Sequence, residues 1–284
     1  RATNERGRGD KWMKLGSLCS GFGGLDLAVE AHYGATTVWH AETDEDCAKV
    51  LAHHWPGVPN LGDLTVVDWG QVEPVDVLAA GYPCQPYSHA GHRKGEDDER
   101  AIFAYIADAV SVLRPRVCVF ENVAGHTSLG GPGVVATLTE LGYDTRWGVV
   151  RASDPPVFAP HRRARWFCVA QAADTKGAKR REPKHETVGQ TAQRTTKLGE
   201  RPGPTAWGRY EPAIRRWERI LGRAAPDPVT DGKLSSRFVS WMMGLPENWV
   251  CGLGLSRNAE LKMLGNGCMV QQAALGLEIL DDQG

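Results

Sequence analysis

A thiol and a carboxylate stand at the ends of two apolar segments of this chain. Pro83-Cys84-Gln85 follows Val75-Asp76-Val77-Leu78-Ala79-Ala80-Gly81, and Glu121-Asn122-Val123 follows Val117-Cys118-Val119-Phe120. As neighbouring strands of one open sheet, these runs would deliver both groups to a single crevice, because ligands bind at the carboxyl ends of strands in α/β sheets. A cysteine nucleophile beside an acid suits covalent catalysis on an electron-poor ring. A cysteine taken singly is more often a small apolar filler; its pairing with Glu121 argues for chemistry.

Three further polar groups occupy equivalent places. Ser20-Gly21-Phe22-Gly23-Gly24 follows the apolar run Leu15 to Leu18, and its glycines allow a close approach of backbone to a ligand. Glu42 follows the strand-like Thr37 to Ala41, where a carboxylate can accept hydrogen bonds from ribose hydroxyls. Asp63, in Gly62-Asp63-Leu64, stands near the next strand end and could read an adenine amino group. Together they suit an adenosine ligand. No lysine-bearing phosphate loop is present, which argues against a triphosphate.

The elements that must position these groups alternate over the first 170 residues. Strands are expected at Leu15 to Leu18, Thr37 to Ala41, Val75 to Ala80, Arg116 to Phe120, Asp144 to Val150 and Trp166 to Ala170. Helices are expected at Leu25 to Tyr33, Glu45 to His54, through apolar positions 102, 103, 106, 110 and 113, and near Val134 to Leu141. The third stops at Arg114-Pro115, since the residue before proline disfavours helix. This alternation predicts a doubly wound, mostly parallel α/β sheet with helices on both faces. From about Ala172 to Gly232 apolar residues thin out, and only Ala213 to Leu221 reads as a helix. Periodicity resumes at Ser236 to Leu245 and closes with a helix from about Met269 to Leu280.

Charge marks the same interruption. The 284 residues carry a net charge of −1, yet residues 174–223 hold thirteen Lys/Arg against six Asp/Glu. A basic segment on an acidic body suggests docking on a polyanion. Seven scattered cysteines, without CxxC or Cys/His ligand spacing, suggest a reduced, intracellular protein. His53-His54 and His89 with His92 lack a third ligand at helical spacing, so no metal is expected. No run has the length of a membrane-spanning helix, and no signal-peptide pattern opens the chain.

The motifs, in order, resemble those of the DNA (cytosine-5)-methyltransferase family. The matching pieces are Ser20-Gly21-Phe22-Gly23-Gly24, Pro83-Cys84-Gln85-Pro86-Tyr87-Ser88, Gly95 through Asp98-Glu99-Arg100, and Glu121-Asn122-Val123. Arg163-Ala164-Arg165, Arg237 through Gly244-Leu245-Pro246, and Gly265-Asn266 complete the set. The resemblance covers about 14–170 and 236–280. It implies the S-adenosylmethionine-dependent methyltransferase fold, with a catalytic and cofactor domain at 13–171 and 251–284 after a flexible tail at 1–12. A small, irregular target-recognition domain would occupy 172–250, where the basic segment falls.

The resemblance implies that the Cys84 thiolate adds to cytosine C6 and makes C5 nucleophilic. Glu121, as acid, stabilises the added charge, and C5 then takes the methyl of S-adenosylmethionine. It further implies that Arg165 contacts the base oxygen, that Arg163 steadies the catalytic loop or a phosphate, and that the 91–95 stretch closes over DNA. Ser20, Gly21, Phe22, Gly23, Gly24, Glu42, Thr43, Asp63, Leu64 and Asn266 are the implied cofactor residues. The target atom is inaccessible within a duplex, so the base must be flipped out. Double-stranded DNA is the expected partner of a monomeric, cytoplasmic enzyme of a prokaryotic cell or phage. A cognate restriction endonuclease is a further partner the family allows. The chain departs from the family at Cys19, Thr43, His161 and Gly267-Cys268. Two rival readings are an RNA cytosine-5 methyltransferase and a catalytically silent DNA-binding protein of the same fold.

Overall fold

A computed structural model of the chain describes residues 12–83, 99–173 and 207–282. Cys84, the 91–95 stretch and most of the basic segment therefore lie outside the described residues. The chain begins with β1 (Met13–Leu18), α1 (Gly24–Tyr33), β2 (Ala35–Ala41) and α2 (Glu45–His54). β3 (Val77–Ala80), α3 (Glu99–Leu113), β4 (Val117–Val123), α4 (His126–Leu129) and α5 (Gly131–Glu140) follow. β5 (Tyr143–Arg151) and β6 (Ala164–Ala172) complete a six-stranded sheet of order β2-β1-β3-β4-β6-β5. β2, β1, β3 and β4 run parallel, and β6 is antiparallel to both β4 and β5.

Period-two alternation assigns the two faces of the sheet. Val77, Ala79 and Val119 turn to a cluster with Ala28 and Val29 of α1. Leu78, Ala80, Cys118 and Phe120 turn to one with Ile106 and Val110 of α3 and Leu138 of α5. Both faces are covered by helices, so the strands read as near-continuous apolar runs, as buried parallel strands do. The chain passes outward from β1 to β2 and then returns to β3 on the other side of β1. That reversal opens a crevice at the carboxyl ends of β1 and β3, the usual ligand position in such sheets.

The remaining elements are α6 (Glu211–Leu221), a hairpin of β7 (Val229–Thr230) and β8 (Lys233–Leu234), α7 (Ser236–Met242), α8 (Arg257–Asn266) and α9 (Val270–Asp281). Trp207, Ile214, Trp217, Trp241 and Leu245 belong to the same apolar cluster as Leu15, Phe22 and Val29. α9 returns to the sheet and packs against α1, β5 and β6. Its buried Gln272 donates to the carbonyls of Val150 and Arg163, fixing α9 to β5 and to the start of β6. No described helix is long and apolar enough to cross a membrane.

Candidate active site

A cavity of about 770 Å³ lies across the carboxyl ends of β1 to β4 and is walled on one side by α8. Its first wall is the turn between β1 and α1. Gly21 and Gly23 adopt φ of 57° and 81°, in the left-handed region that glycine enters without steric cost. Ser20 and Gly21 line the cavity, whereas Phe22, Gly23 and Gly24 are not among the lining residues. The Phe22 ring is instead fully buried beneath the turn. A Cβ on Gly267 would stand 2.0 Å from it, so glycine at 267 is what lets the α8–α9 link cross over that ring. Thr43, Asp63, Leu64 and Asn266 also line the cavity, which gathers seven of the ten residues expected to hold a cofactor.

Glu42 is fixed by backbone donors. The Gly21 amide donates to Oε2 at 2.7 Å and the Asp44 amide to Oε1 at 2.8 Å. Asn60 pins the main chain of Glu42 from both sides, accepting from its amide and donating to its carbonyl. Asp44 caps α2 by accepting from the amides of Asp46 and Cys47. Its other oxygen takes the Lys262 ammonium of α8 at 2.8 Å, which holds the Asp44 carboxyl below the usual carboxylate range. A chain of contacts from Gly21 through Glu42 and Asp44 to Lys262 therefore runs along the cavity. Asp63 is exposed, and its pKa is lowered by the amide and hydroxyl of Thr65 donating to one of its oxygens.

The opposite wall is built from side chains. Glu121, at the end of β4, is 5% exposed, and its Oε1 lies 2.9 Å from Arg165 Nε on β6. The register pairs Val123 with Arg165 and Glu121 with Phe167, so Glu121 and Arg165 are diagonal neighbours on one face. Burial raises the Glu121 pKa against the opposing pull of Arg165 and Arg163. A Cβ on Gly81, just past β3, would stand 3.7 Å from Glu121 Oε2, which places the carboxylate beside the chain leading to Pro83. Asn122 donates through Nδ2 to the Tyr82 carbonyl and ties the two strand ends together.

The two arginines of Arg163-Ala164-Arg165 point to different places. Arg165 lines the cavity. Arg163 is absent from the lining; it donates through Nη2 to the carbonyls of Gly265 and Gly267, and burial lowers its pKa to about 10. It thereby anchors the link that carries Asn266. His161 donates through Nε2 to the Met242 carbonyl, joining the segment that leads into β6 to α7. The cavity also holds groups the sequence did not single out. Asp26, buried on α1, accepts from Ser17 Oγ at 2.6 Å, and Lys262 reaches in from α8. An aspartate just before a helix is a local N-cap signal that could have pointed to Asp44, but its partner Lys262, 218 residues away, carries none. Among the described thiols, burial pushes Cys19 and Cys168 up to about 12 and Cys251 to about 11, and raises Cys47, Cys118 and Cys268 as well.

This architecture matches proteins of known kind. The fold superposes on the S. pombe Dnmt2 methyltransferase with a TM-score of 0.64 at 17% identity, over 95% of this chain and 99% of that one. Residues 13–200 match the C-5 cytosine-specific DNA methylase family, and the chain belongs to that family. Its relatives include the DNA N-6-adenine-methyltransferase of Escherichia phage P1, 43% identical over 132 residues, which are 42% of this chain and 17% of that protein. They include the type II methyltransferase M.NgoBI of Neisseria gonorrhoeae, 33% identical over 157 residues, which are 54% of this chain and 48% of that protein. The matched stretches thus span less than half the length of either relative. Methyltransferases of this family take their methyl group from S-adenosylmethionine.

Proposed function

We propose that this chain transfers a methyl group from S-adenosylmethionine to C5 of cytosine in a short sequence of double-stranded DNA. The reaction passes through a covalent bond between Cys84 and C6 of a base turned out of the duplex. The observation that carries this reading is the buried Glu121–Arg165 pair, which lies beside the strand end leading to Pro83. A binding module needs no buried acid in a cavity, so the pair argues against a catalytically silent protein.

The donor set fits the cofactor. Glu42, Asp44 and Asp63 line the side of the cavity next to the β1–α1 turn, and they favour a ligand that carries positive charge and hydroxyl donors. Glu42 and Asp63 would hold the ribose and adenine, and Ser20, Gly21, Thr43, Leu64 and Asn266 would complete the pocket. When bound there, S-adenosylmethionine supplies an electrophilic methyl group.

The protein's own groups do the rest. Burial raises the pKa of every described thiol, and the nucleophile is Cys84, outside the described residues, as the family resemblance implies. Its attack on C6 pushes electron density to C5 and N3. Glu121, kept protonated to higher pH by burial, donates at N3 and stabilises that density. Arg165 binds the base oxygen and orients Glu121. C5 would then take the methyl group, with S-adenosylhomocysteine as the leaving group; a water-borne base accepts the C5 proton, Glu121 recovers the N3 proton, and the thiolate is expelled as the ring is restored. The basic residues between 174 and 223, in the proposed recognition domain, dock on phosphates. Restriction–modification, phage self-protection and solitary methylation are all compatible with this chemistry.

The test is nucleoside mass spectrometry on DNA and RNA from cells expressing the chain, with bisulfite-type sequencing to map the site. 5-Methylcytosine in DNA is the expected product. 5-Methylcytosine confined to RNA, or N6-methyladenine in DNA, overturns the substrate assignment.

A further inference from the structure

Three segments that carry the proposed chemistry meet on one buried imidazole that the reaction above does not use. His126, the first residue of α4, is 1% exposed. Its Nε2 lies 2.8 Å from the Tyr82 hydroxyl, and Tyr82 precedes Cys84 by two residues. The Trp166 indole packs edge-on against the imidazole at 4.9 Å between centroids. Trp166 adjoins Arg165 and pairs with Asn122 across β4 and β6. One ring thus contacts the chain leading to Cys84 and the strand carrying Arg165, and it belongs to the segment that follows Glu121.

The space for this ring is made by glycine. A Cβ on Gly130 would stand 2.4 Å from His126 Cε1, and one on Gly131 would stand 2.8 Å from the His126 carbonyl oxygen. Tyr82 is equally enclosed, 2% exposed and flanked by the rings of Phe103 and Phe120. It lies beyond the last residue of β3, Ala80, where strand pairing with β1 and β4 has ended. Its backbone is held through the Asn122 amide at 3.3 Å and its side chain through His126.

We propose that Tyr82 and His126 are positioning residues, and that their hydrogen bond sets the Tyr82–Pro83 strand end against Glu121, fixing the point from which the chain runs on to Cys84. Tyr82 lines the cavity, but its hydroxyl is engaged by His126, and neither side chain is assigned a chemical step in the reaction above. The inference rests on the assignment of Cys84 as nucleophile. Misplacing reacting groups by about an ångström costs on the order of 100-fold in rate, so the bond governs the rate of thiol addition more than the affinity for donor.

The test uses the full chain in three forms, wild type, Tyr82→Phe and Tyr82→Phe with His126→Ala, together with His126→Gln and His126→Ala. Each is assayed for the single-turnover rate of adduct formation on a duplex carrying 5-fluorocytosine, for S-adenosylmethionine affinity by calorimetry, and for its melting midpoint. Phenylalanine keeps the ring and the packing and removes only the hydroxyl. Tyr82→Phe is expected to slow adduct formation roughly 10- to 100-fold with donor affinity unchanged and the midpoint moved by no more than a few degrees. His126→Gln, which restores a polar partner, should be faster than His126→Ala. The double variant should be no slower than the worse single variant, because both remove one interaction. A Tyr82→Phe rate equal to wild type, or a fall in affinity and midpoint that matches the fall in rate, overturns the positioning role. A wild-type protein that methylates its substrate yet traps no adduct overturns the Cys84 assignment instead, and this inference with it.

Discussion

Two carboxylates face the same cavity from opposite walls, and their surroundings drive them in opposite directions. Asp63 is exposed and accepts from the amide and hydroxyl of a residue two positions away, and its pKa is lowered. Glu121 is buried, meets a guanidinium from another strand, and its pKa is raised by that burial. Local hydrogen bonding keeps the first ionised and suited to gripping a cationic ligand with hydroxyls. Long-range packing raises the pKa of the second, which favours its acid form and suits it to acid catalysis. In the proposed reaction one residue chemistry would thus serve binding on one wall and proton donation on the other, because environment sets the role.

Glu121→Gln is the substitution that breaks this comparison most severely. It retains a hydrogen-bond donor but removes the transferable proton. Loss of a positioned acid costs about 10²- to 10⁴-fold, so single-turnover methylation should fall by that factor while donor affinity holds. A wild-type rate in this variant would mean that the buried wall is only structural. Because burial raises the Glu121 pKa, wild-type activity should persist to higher pH than an ordinary carboxylic acid allows and decline as the pH rises through the shifted value.

Glu42→Ala tests the other wall. Charge-assisted hydrogen bonds contribute about 1.5–3 kcal/mol each, so S-adenosylmethionine affinity should drop by one to two decades on calorimetry. The rate at saturating donor should change far less. A loss confined to the rate would reverse the roles assigned to the two walls.

The difference between the walls also explains what the sequence made legible. α2 was expected at Glu45 to His54 and runs over those residues, because Asp44 supplies its cap from the adjacent position. β4 was expected to stop at Phe120 but continues to Val123, since pairing with β6 carries the polar Glu121 and Asn122 along the ladder. α8 gave no signal. Its buried side chains are Glu260, Met263 and Leu264, and Glu260 turns inward to accept from the Ser236 hydroxyl and the Gly252 amide. Cavity residues near the glycine turn followed from local motif, whereas the Glu121–Arg165 pair and the Tyr82–His126 contact depend on strand order. Arg163 and Arg165 look alike in the sequence and diverge only because one meets Glu121 and the other the carbonyls of Gly265 and Gly267.

That divergence can be sharpened by paired substitutions. Arg163→Met removes a charged donor from two main-chain carbonyls, a loss worth about 1.5–3 kcal/mol of stability. Denaturant unfolding should register it. Arg165→Met should lower the methylation rate with a smaller change in unfolding midpoint. Equal stability losses from the two would show that Arg165, like Arg163, is chiefly an anchor.

The smallest effect concerns His161, which bridges the segment of these arginines to the Met242 carbonyl at 3.0 Å. Its pKa is lowered, first by burial and then by Arg163 and Arg165, while the bond to Met242 opposes the shift. Half-buried His54, stacked on Trp249, is lowered for the same leading reason. In the unfolded chain both rings take up a proton near pH 6.5. Between that value and the depressed folded value the unfolded state binds more protons, so stability is fully present above about pH 6.5 and is lost as the pH falls. Each such histidine contributes a slope of at most about 1.4 kcal/mol per pH unit. His161→Gln keeps a side-chain donor within reach of Met242 and cannot titrate. Unfolding free energies measured from pH 8 down to pH 5 should therefore fall less steeply in this variant than in wild type, with the remaining slope reduced again by His54→Gln. An unchanged slope in His161→Gln would mean that His161 titrates alike in the folded and unfolded chains, and that the cationic wall around Arg163 and Arg165 does not reach it.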